Sequence, residues 1–245
     1  MDNFVELIKR EFILILQSFK RKCILVALIT FGICFSKAYY TISSCYGSNE
    51  NLVFDLFKGE GYIIDMKEFS FPLAWFLCNI AIIYFIGQYL YKDYKFNGLY
   101  VIIRSSKERY WIAKILCSIT MIIIYYIIIF GFAYLCQFLV RENTIINFEM
   151  IILYTTTSIM LVIVSNLISL LSNFKYSFLF ISILLILAVV VGNNYIPGQQ
   201  SIIVRHAPYD FEHGLTLVKS LSYNAIVSII GMYVNILVIR KKEIY

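Results

Sequence analysis

Charged side chains are scarce in this chain. They make up 15% of its 245 residues, against about 25% in soluble globular domains. Proline occurs three times and glycine eleven times, and none of the six cysteines forms a CxxC pair. These shortages exclude a collagen-like repeat, a disordered chain and a zinc or redox site built on paired cysteines. Because 60% of the residues are hydrophobic, an ordinary soluble enzyme is excluded as well, and a polytopic membrane protein remains.

Long runs without charge predict the membrane-spanning segments. A span needs about 20 apolar residues, and five uncharged runs reach that length, while a sixth is interrupted only by Lys37. The run at 122–129 does not alternate apolar and polar residues as the strands of a membrane barrel do. We therefore predict a single all-α polytopic domain over 1–245, with transmembrane helices at 23–44, 69–91, 112–140, 148–172, 175–195 and 219–239.

The first 22 residues have an amphipathic pattern. Apolar residues from Phe4 to Phe19 recur at helical spacing, and most polar residues fall between them. This pattern predicts a helix over 1–22 that lies along the bilayer surface before the first span. The alternative is that these residues begin a longer first helix.

The charges predict the orientation. With six spans, both termini and the segments 92–114 and 172–176 share one side. That side holds fifteen of the 21 lysines and arginines and six of the 15 acids, a net charge of +9, whereas the other side has −3. The positive-inside rule then places both termini in the cytoplasm. The net charge of +6 is thus a topology signal, and no nucleic-acid partner is predicted.

Catalytic patterns are missing from the sequence. There is no GxxxxGK[ST] phosphate loop, no GxSxG and no HExxH. The spans contain almost none of the acids, arginines or histidines that ion-coupled pumps use. We therefore expect no catalytic residue, no bound cofactor and no metal site in this chain. An active transporter of this composition needs an external source of energy.

Three connections carry most of the polar residues. The segment 45–68 is expected to be a solvated connector, with a short surface helix as the alternative. The segment 193–214 contains Pro197-Gly198, which marks a turn, and we expect it to dip back towards the outer leaflet. His206 and His213, seven residues apart, are interpreted as surface histidines in preference to metal ligands.

The segment 92–114 interleaves cations with apolar residues and predicts a short interfacial helix, after which Ser105 or Ser106 caps the next helix. It contains an acid, a glycine, a small polar pair with a cation, an aromatic residue and a lysine that opens span three. These residues are Asp93, Gly98, Arg104, Ser105, Ser106, Arg109, Trp111 and Lys114. With this loop, six spans and a surface helix, the chain resembles the permease subunits of ABC-2-type transporters, in layout over its whole length.

The resemblance implies a bacterial exporter in the cytoplasmic membrane. Two permease subunits, identical or paralogous, would pair above two ATP-binding subunits, which would bind the ATP and magnesium. The residues expected to contact the ATPase are Asp93, Phe96, Asn97, Gly98, Leu99, Arg104, Ser105 and Ser106. Asn173 and Lys175 would form a second cytoplasmic contact. The expected substrate is amphipathic, a peptide toxin or antimicrobial, and the alternative within the family is a lipid or a polysaccharide.

Hydroxyl and amide groups in the fourth span leave two interpretations open. Thr155, Ser158, Ser165 and Asn166, together with Lys37 in the first span, are candidates for a substrate path. Small hydroxyl side chains also mediate helix packing in lipid, and Lys37 can extend to the interface. Other classes remain as alternatives: a non-transport partner or bacteriocin-immunity protein, an intramembrane enzyme, and a channel or secondary carrier.

Overall fold

The structure is a computed structural model whose described part is mostly helical. It describes residues 4–43, 51–59, 61, 72–104, 106–140, 146–191, 193–207, 209–210 and 214–241. The helices are α1 Phe4–Ser43, α2 Leu52–Phe57, α3 Leu73–Arg104, α4 Lys107–Val140, α5 Phe148–Leu171, α6 Phe174–Val191 and α7 Leu217–Lys241. Two 3-10 turns, Gln199–Ser201 and Ile203–Arg205, lie between α6 and α7.

Five of these helices are long and apolar enough to cross a membrane. The qualifying segments are Leu73–Gly98, Lys107–Leu139, Phe148–Leu171, Phe174–Val191 and Leu217–Lys241. The all-helical class is therefore confirmed for the described residues, which contain no β-strand, and the five apolar helices agree with a multi-pass membrane protein. The sixth expected span, 23–44, lies in α1, where many side chains, including that of Lys37, are outside the described part. That span stays a prediction.

The N-terminal region differs from the surface helix predicted over 1–22. α1 runs for 40 residues without a break, which at 1.5 Å per residue is about 60 Å. Leu7, Glu11, Ile15 and Phe19 are buried at four-residue steps and face α3 and α4. The first part of the chain thus begins a longer first helix, and its apolar stripe packs on protein.

Two connections also differ from their predictions. No separate interfacial helix forms in the segment 92–111, because α3 continues to Arg104 and α4 starts at Lys107. Ser106 Oγ accepts a hydrogen bond from the Arg109 N–H at 3.3 Å, so the predicted cap is confirmed. Within the segment 45–68, of which the structure describes 51–59 and 61, the short helix given as the alternative forms as α2. Its Leu52, Val53 and Phe57 are buried, so it packs on protein.

Both described ends of the chain lie at one end of the bundle. Leu7 packs with Tyr110 and Ala113 at the start of α4, and Arg240 Nε lies 2.7 Å from Glu108 Oε1. The α3–α4 turn and the α5–α6 turn lie at this end too, since Trp111 packs with Leu170 and Ile239. We call this the basic end, because its exposed charged residues are mostly cations: Lys9, Lys92, Lys95, Arg109, Lys175, Arg240 and Lys241.

Candidate functional site

A buried ion cluster joins three helices near the basic end. Lys114 Nζ of α4 lies 2.7 Å from Glu11 Oε2 of α1 and also bonds to Asp93 Oδ2 of α3. The side chains of Lys114 and Glu11 are fully buried, and that of Asp93 is 5% exposed. One lysine therefore holds two acids that come from different helices.

Tyrosine and amide donors complete the hydrogen bonding of the two acids. The Tyr89 hydroxyl donates to Glu11 Oε2 at 3.0 Å, and the Tyr110 hydroxyl donates to Asp93 Oδ2 at 2.8 Å. Asn97 Nδ2 donates to Asp93 Oδ1 at 2.9 Å. Buried carboxylates need such donors to offset the loss of water, so the cluster fixes the rotation of α1 and α3 around Lys114.

The rings of the same tyrosines enclose the lysine. Lys114 Nζ is 4.9 Å from the centroid of the Tyr89 ring and 4.8 Å from that of Tyr110, within range of cation–π attraction. Arg10, whose side chain is 34% exposed, bonds to Glu11 at the edge of the cluster. Two acids thus face two cations, and the cluster is close to neutral.

The predicted ATPase contacts fall into two groups. Phe96 is 68% exposed, and Asn97 and Ser106 are exposed as well. Asp93 is instead held inside the cluster, where it is 6% exposed, and its place among the ATPase contacts stays a prediction. Gly98 is buried, and a Cβ there would lie 3.5 Å from the Tyr94 ring and 3.7 Å from the Tyr110 hydroxyl.

The remaining predicted contacts are described in part. Leu99 and Arg104 belong to the last turns of α3, but their side chains lie outside the described part, as does Ser105. Asn173 lies between α5 and α6, where its Oδ1 accepts the Tyr176 N–H at 3.2 Å, and Lys175 is exposed beside it. These two residues are at the basic end together with the α3–α4 turn.

Two of the four candidate path residues of α5 bond to other helices. Ser158 Oγ is 2.6 Å from the Tyr126 hydroxyl of α4 and 3.1 Å from Asn79 Oδ1 of α3. Ser165 Oγ is 2.8 Å from Ser177 Oγ of α6. These contacts favour the packing interpretation for both serines. Thr155 bonds within its own helix to the Ile151 carbonyl, Asn166 is buried, and their place on a substrate path stays a prediction.

Sequence reasoning missed Glu11, Tyr89 and Tyr110 as members of a site. Glu11 carried a signal, because it falls four residues after Leu7 and four before Ile15, within an apolar stripe. An acid at such a position needs a buried partner. Its partner, Lys114, is 103 residues away in the sequence, and no local pattern connects the two.

A second buried cation lies in the segment between α6 and α7. The Arg205 guanidinium is fully buried and donates to the Ala188 carbonyl at 2.6 Å, the Val189 carbonyl at 2.8 Å and the Gly61 carbonyl at 2.9 Å. It therefore caps the carboxyl end of α6, where a positive charge is favourable. This interaction anchors the predicted re-entrant segment to the bundle.

His206 is buried next to this arginine, not at the surface as predicted. Its Nε2 lies 3.1 Å from the Gln200 carbonyl, and burial lowers the pKa of the imidazole below its ordinary value. His213 lies outside the described residues. Within the described part, no three His, Cys, Asp or Glu side chains come close enough to hold a metal ion.

Comparison with known proteins gives one family and no function. A family model described as a protein of unknown function, DUF2705, matches residues 24–245. The chain belongs to this DUF2705 family. No curated protein and no solved structure matches it. The family match covers every helix from the second half of α1 onwards, whereas Glu11 lies outside the matched residues.

Proposed function

We propose that this chain is the transmembrane subunit of an ATP-driven exporter of the ABC-2 type. It would move an amphipathic substrate, a peptide toxin or antimicrobial, across the bacterial cytoplasmic membrane. The energy would come from a separate subunit that binds ATP and magnesium. The observation that carries the proposal is the ion cluster of Glu11, Asp93 and Lys114, which joins α1, α3 and α4 into one unit ending at the α3–α4 turn.

The lengths of α3 and α4 support this role. They contain 32 and 34 residues, or about 48 and 51 Å at 1.5 Å per residue. The hydrocarbon core of a bilayer is about 30 Å thick. The charged residues from Lys92 onwards cluster at the basic end, so the excess length would project there into the cytoplasm as a helical hairpin.

The projecting hairpin would receive force from the ATP-binding subunit. Phe96 and Asn97 on α3 and Ser106 at the start of α4 offer an exposed surface beside the turn. Asn173 and Lys175 would add a contact from the α5–α6 turn. Because Lys114 ties the hairpin to α1, movement of the turn would shift α1, α3 and α4 together and change the membrane interface between two permease subunits.

The distribution of charge supports the orientation in this proposal. Glu11 and Asp93 are engaged with Lys114, and Glu108 bonds to Arg240. Most cations of the basic end are exposed, so this surface is strongly positive. The positive-inside rule favours such a surface in the cytoplasm, the compartment that contains ATP-binding subunits.

The test is isolation of the assembled complex from native membranes. The tagged full-length chain would be solubilised mildly, purified and analysed by quantitative mass spectrometry. We expect an ATP-binding protein with a phosphate loop at one copy per copy of this chain, and ATP hydrolysis that depends on its Walker lysine. A folded chain that carries no ATP-binding protein would contradict the proposal and favour the immunity or anchor function.

A further inference from the structure

An apolar groove lies between α1, α3 and α6, apart from the ion cluster. Its cavity has a volume of about 300 Å³. Ile29 and Ile33 of α1 form one wall, Ala81 and Phe85 of α3 another, and Phe178 of α6 contributes to the third. These side chains belong to the apolar parts of the three helices, so the groove lies at the depth of lipid acyl chains.

The end of the groove nearest the basic end is polar and positively charged. Lys22 Nζ lies 5.5 Å from the centroid of the Phe85 ring and 5.9 Å from that of Tyr84, and both rings line the groove. Lys22 also donates to Gln88 Oε1 at 2.8 Å. Gln88 and Lys92 follow Tyr84 on α3 at four-residue steps, so they continue the same face towards the cytoplasm.

Lys92 lies one helical turn beyond Gln88, the residue to which Lys22 donates. Burial and the charge of Lys92 both lower the pKa of Lys22. Two neighbouring cations at the mouth of an apolar groove complement a ligand with an anionic head and an acyl chain.

We propose that this groove binds an anionic phospholipid of the cytoplasmic leaflet. One acyl chain lies along Ile29, Ile33 and Ala81, and the phosphate lies between the ammonium groups of Lys22 and Lys92. Lys22 is the last residue before the apolar part of α1, which is the depth at which headgroups lie. The proposal goes beyond the exporter function and does not require an ATP-binding subunit.

Native mass spectrometry of the purified full-length chain tests this site. The detergent-solubilised protein is titrated with dioleoyl phosphatidylglycerol and, separately, with dioleoyl phosphatidylcholine. The double variant Lys22→Gln/Lys92→Gln removes both charges, and Ala81→Phe fills the groove without changing charge. Lys9→Gln is the matched control, because Lys9 is an exposed lysine of the same helix about 20 Å from Lys22 at 1.5 Å per residue.

We expect the wild type to bind phosphatidylglycerol more tightly than phosphatidylcholine. A lysine near a headgroup contributes about a fivefold gain in affinity for anionic lipid, so the double variant should lose about 30-fold. Ala81→Phe should weaken binding of both lipids, and Lys9→Gln should change neither. Equal affinity of the wild type for the two lipids would overturn the proposal, as would equal losses in Lys9→Gln and the double variant. Gel filtration and circular dichroism confirm that each variant is folded.

Discussion

Lys114 Nζ and Glu11 Oε2 lie 2.7 Å apart although 103 residues separate them in the chain. Both side chains are fully buried. The pair therefore fixes the N-terminal part of α1 to α4, and Asp93 extends the same contact to α3. Replacing a buried ion pair with apolar residues is often harmless, but removing one partner leaves a buried charge uncompensated. This asymmetry makes the lysine the most informative position to change.

Lys114→Met is expected to destabilise the fold by about 3–5 kcal/mol, because it leaves Glu11 and Asp93 buried without their shared cation. Thermal unfolding in detergent, followed by circular dichroism, measures the effect. The control is Lys9→Met, which removes an exposed lysine of α1 and should leave the melting temperature close to that of the wild type. An unchanged melting temperature in Lys114→Met would contradict the conclusion that the buried cluster holds α1, α3 and α4 together.

The helices themselves were predictable, because apolar runs of about 20 residues leave few alternatives. The course of the chain at the basic end was not. The amphipathic stripe from Leu7 to Phe19 is compatible with packing on lipid or on protein, and only the contacts with α3 and α4 decide between them. In the same way, no local pattern predicts that Asp93 bonds to Lys114, which lies 21 residues further along the chain.

The role of the polar residues of α5 could not be predicted from the sequence either. Their spacing on one helix face was compatible with a substrate path or with packing. Ser158 meets Tyr126 and Asn79 through side chains that come from two other helices. The sequence of α5 alone contains no information about these partners, so the choice required the tertiary structure.

Under the proposed exporter function, Phe96→Glu is expected to abolish stimulation of the proposed ATP-binding subunit by substrate while membrane insertion survives. The phenylalanine is 68% exposed near the α3–α4 turn, and an apolar side chain there suits a protein interface. Substrate-dependent ATP hydrolysis in proteoliposomes provides the measurement. Phe148→Glu is the matched control, since Phe148 is 66% exposed at the opposite end of the bundle. Retained stimulation in Phe96→Glu, or its loss in both variants, would count against the proposed contact.

Replacement by alanine should change the stability of the protein in opposite directions at two glycines inside helices. A Cβ at Gly87 of α3 would lie 2.7 Å from the Phe174 ring and 3.5 Å from Ser165 Oγ, whereas nothing lies within 4 Å of one at Gly131 of α4. Gly87→Ala should therefore destabilise the packing of α3 on α6 by about 1–3 kcal/mol. Gly131→Ala should stabilise by up to about 1 kcal/mol, because alanine favours the helix. The melting temperatures of both variants are measured in the same detergent. A higher melting temperature in Gly87→Ala would show that α3 and α6 are not closely packed.

Protonation of His206 at acid pH should destabilise the folded segment that connects α6 to α7. Burial lowers the pKa of this imidazole in the folded protein, so the unfolded chain binds the proton more tightly. The contribution to stability is complete above the ordinary pKa of about 6.5. It declines as the pH falls from there through the lowered pKa of the folded state.

Melting temperatures measured between pH 5 and pH 8 test this expectation. Histidines are the side chains whose ordinary pKa lies in that range, and the chain has two of them, His206 and His213. His206→Gln retains a donor for the Gln200 carbonyl and should flatten the pH dependence. His213→Gln should leave it as in the wild type. If the slope persists in His206→Gln and disappears in His213→Gln, the buried imidazole is not the group that senses acid.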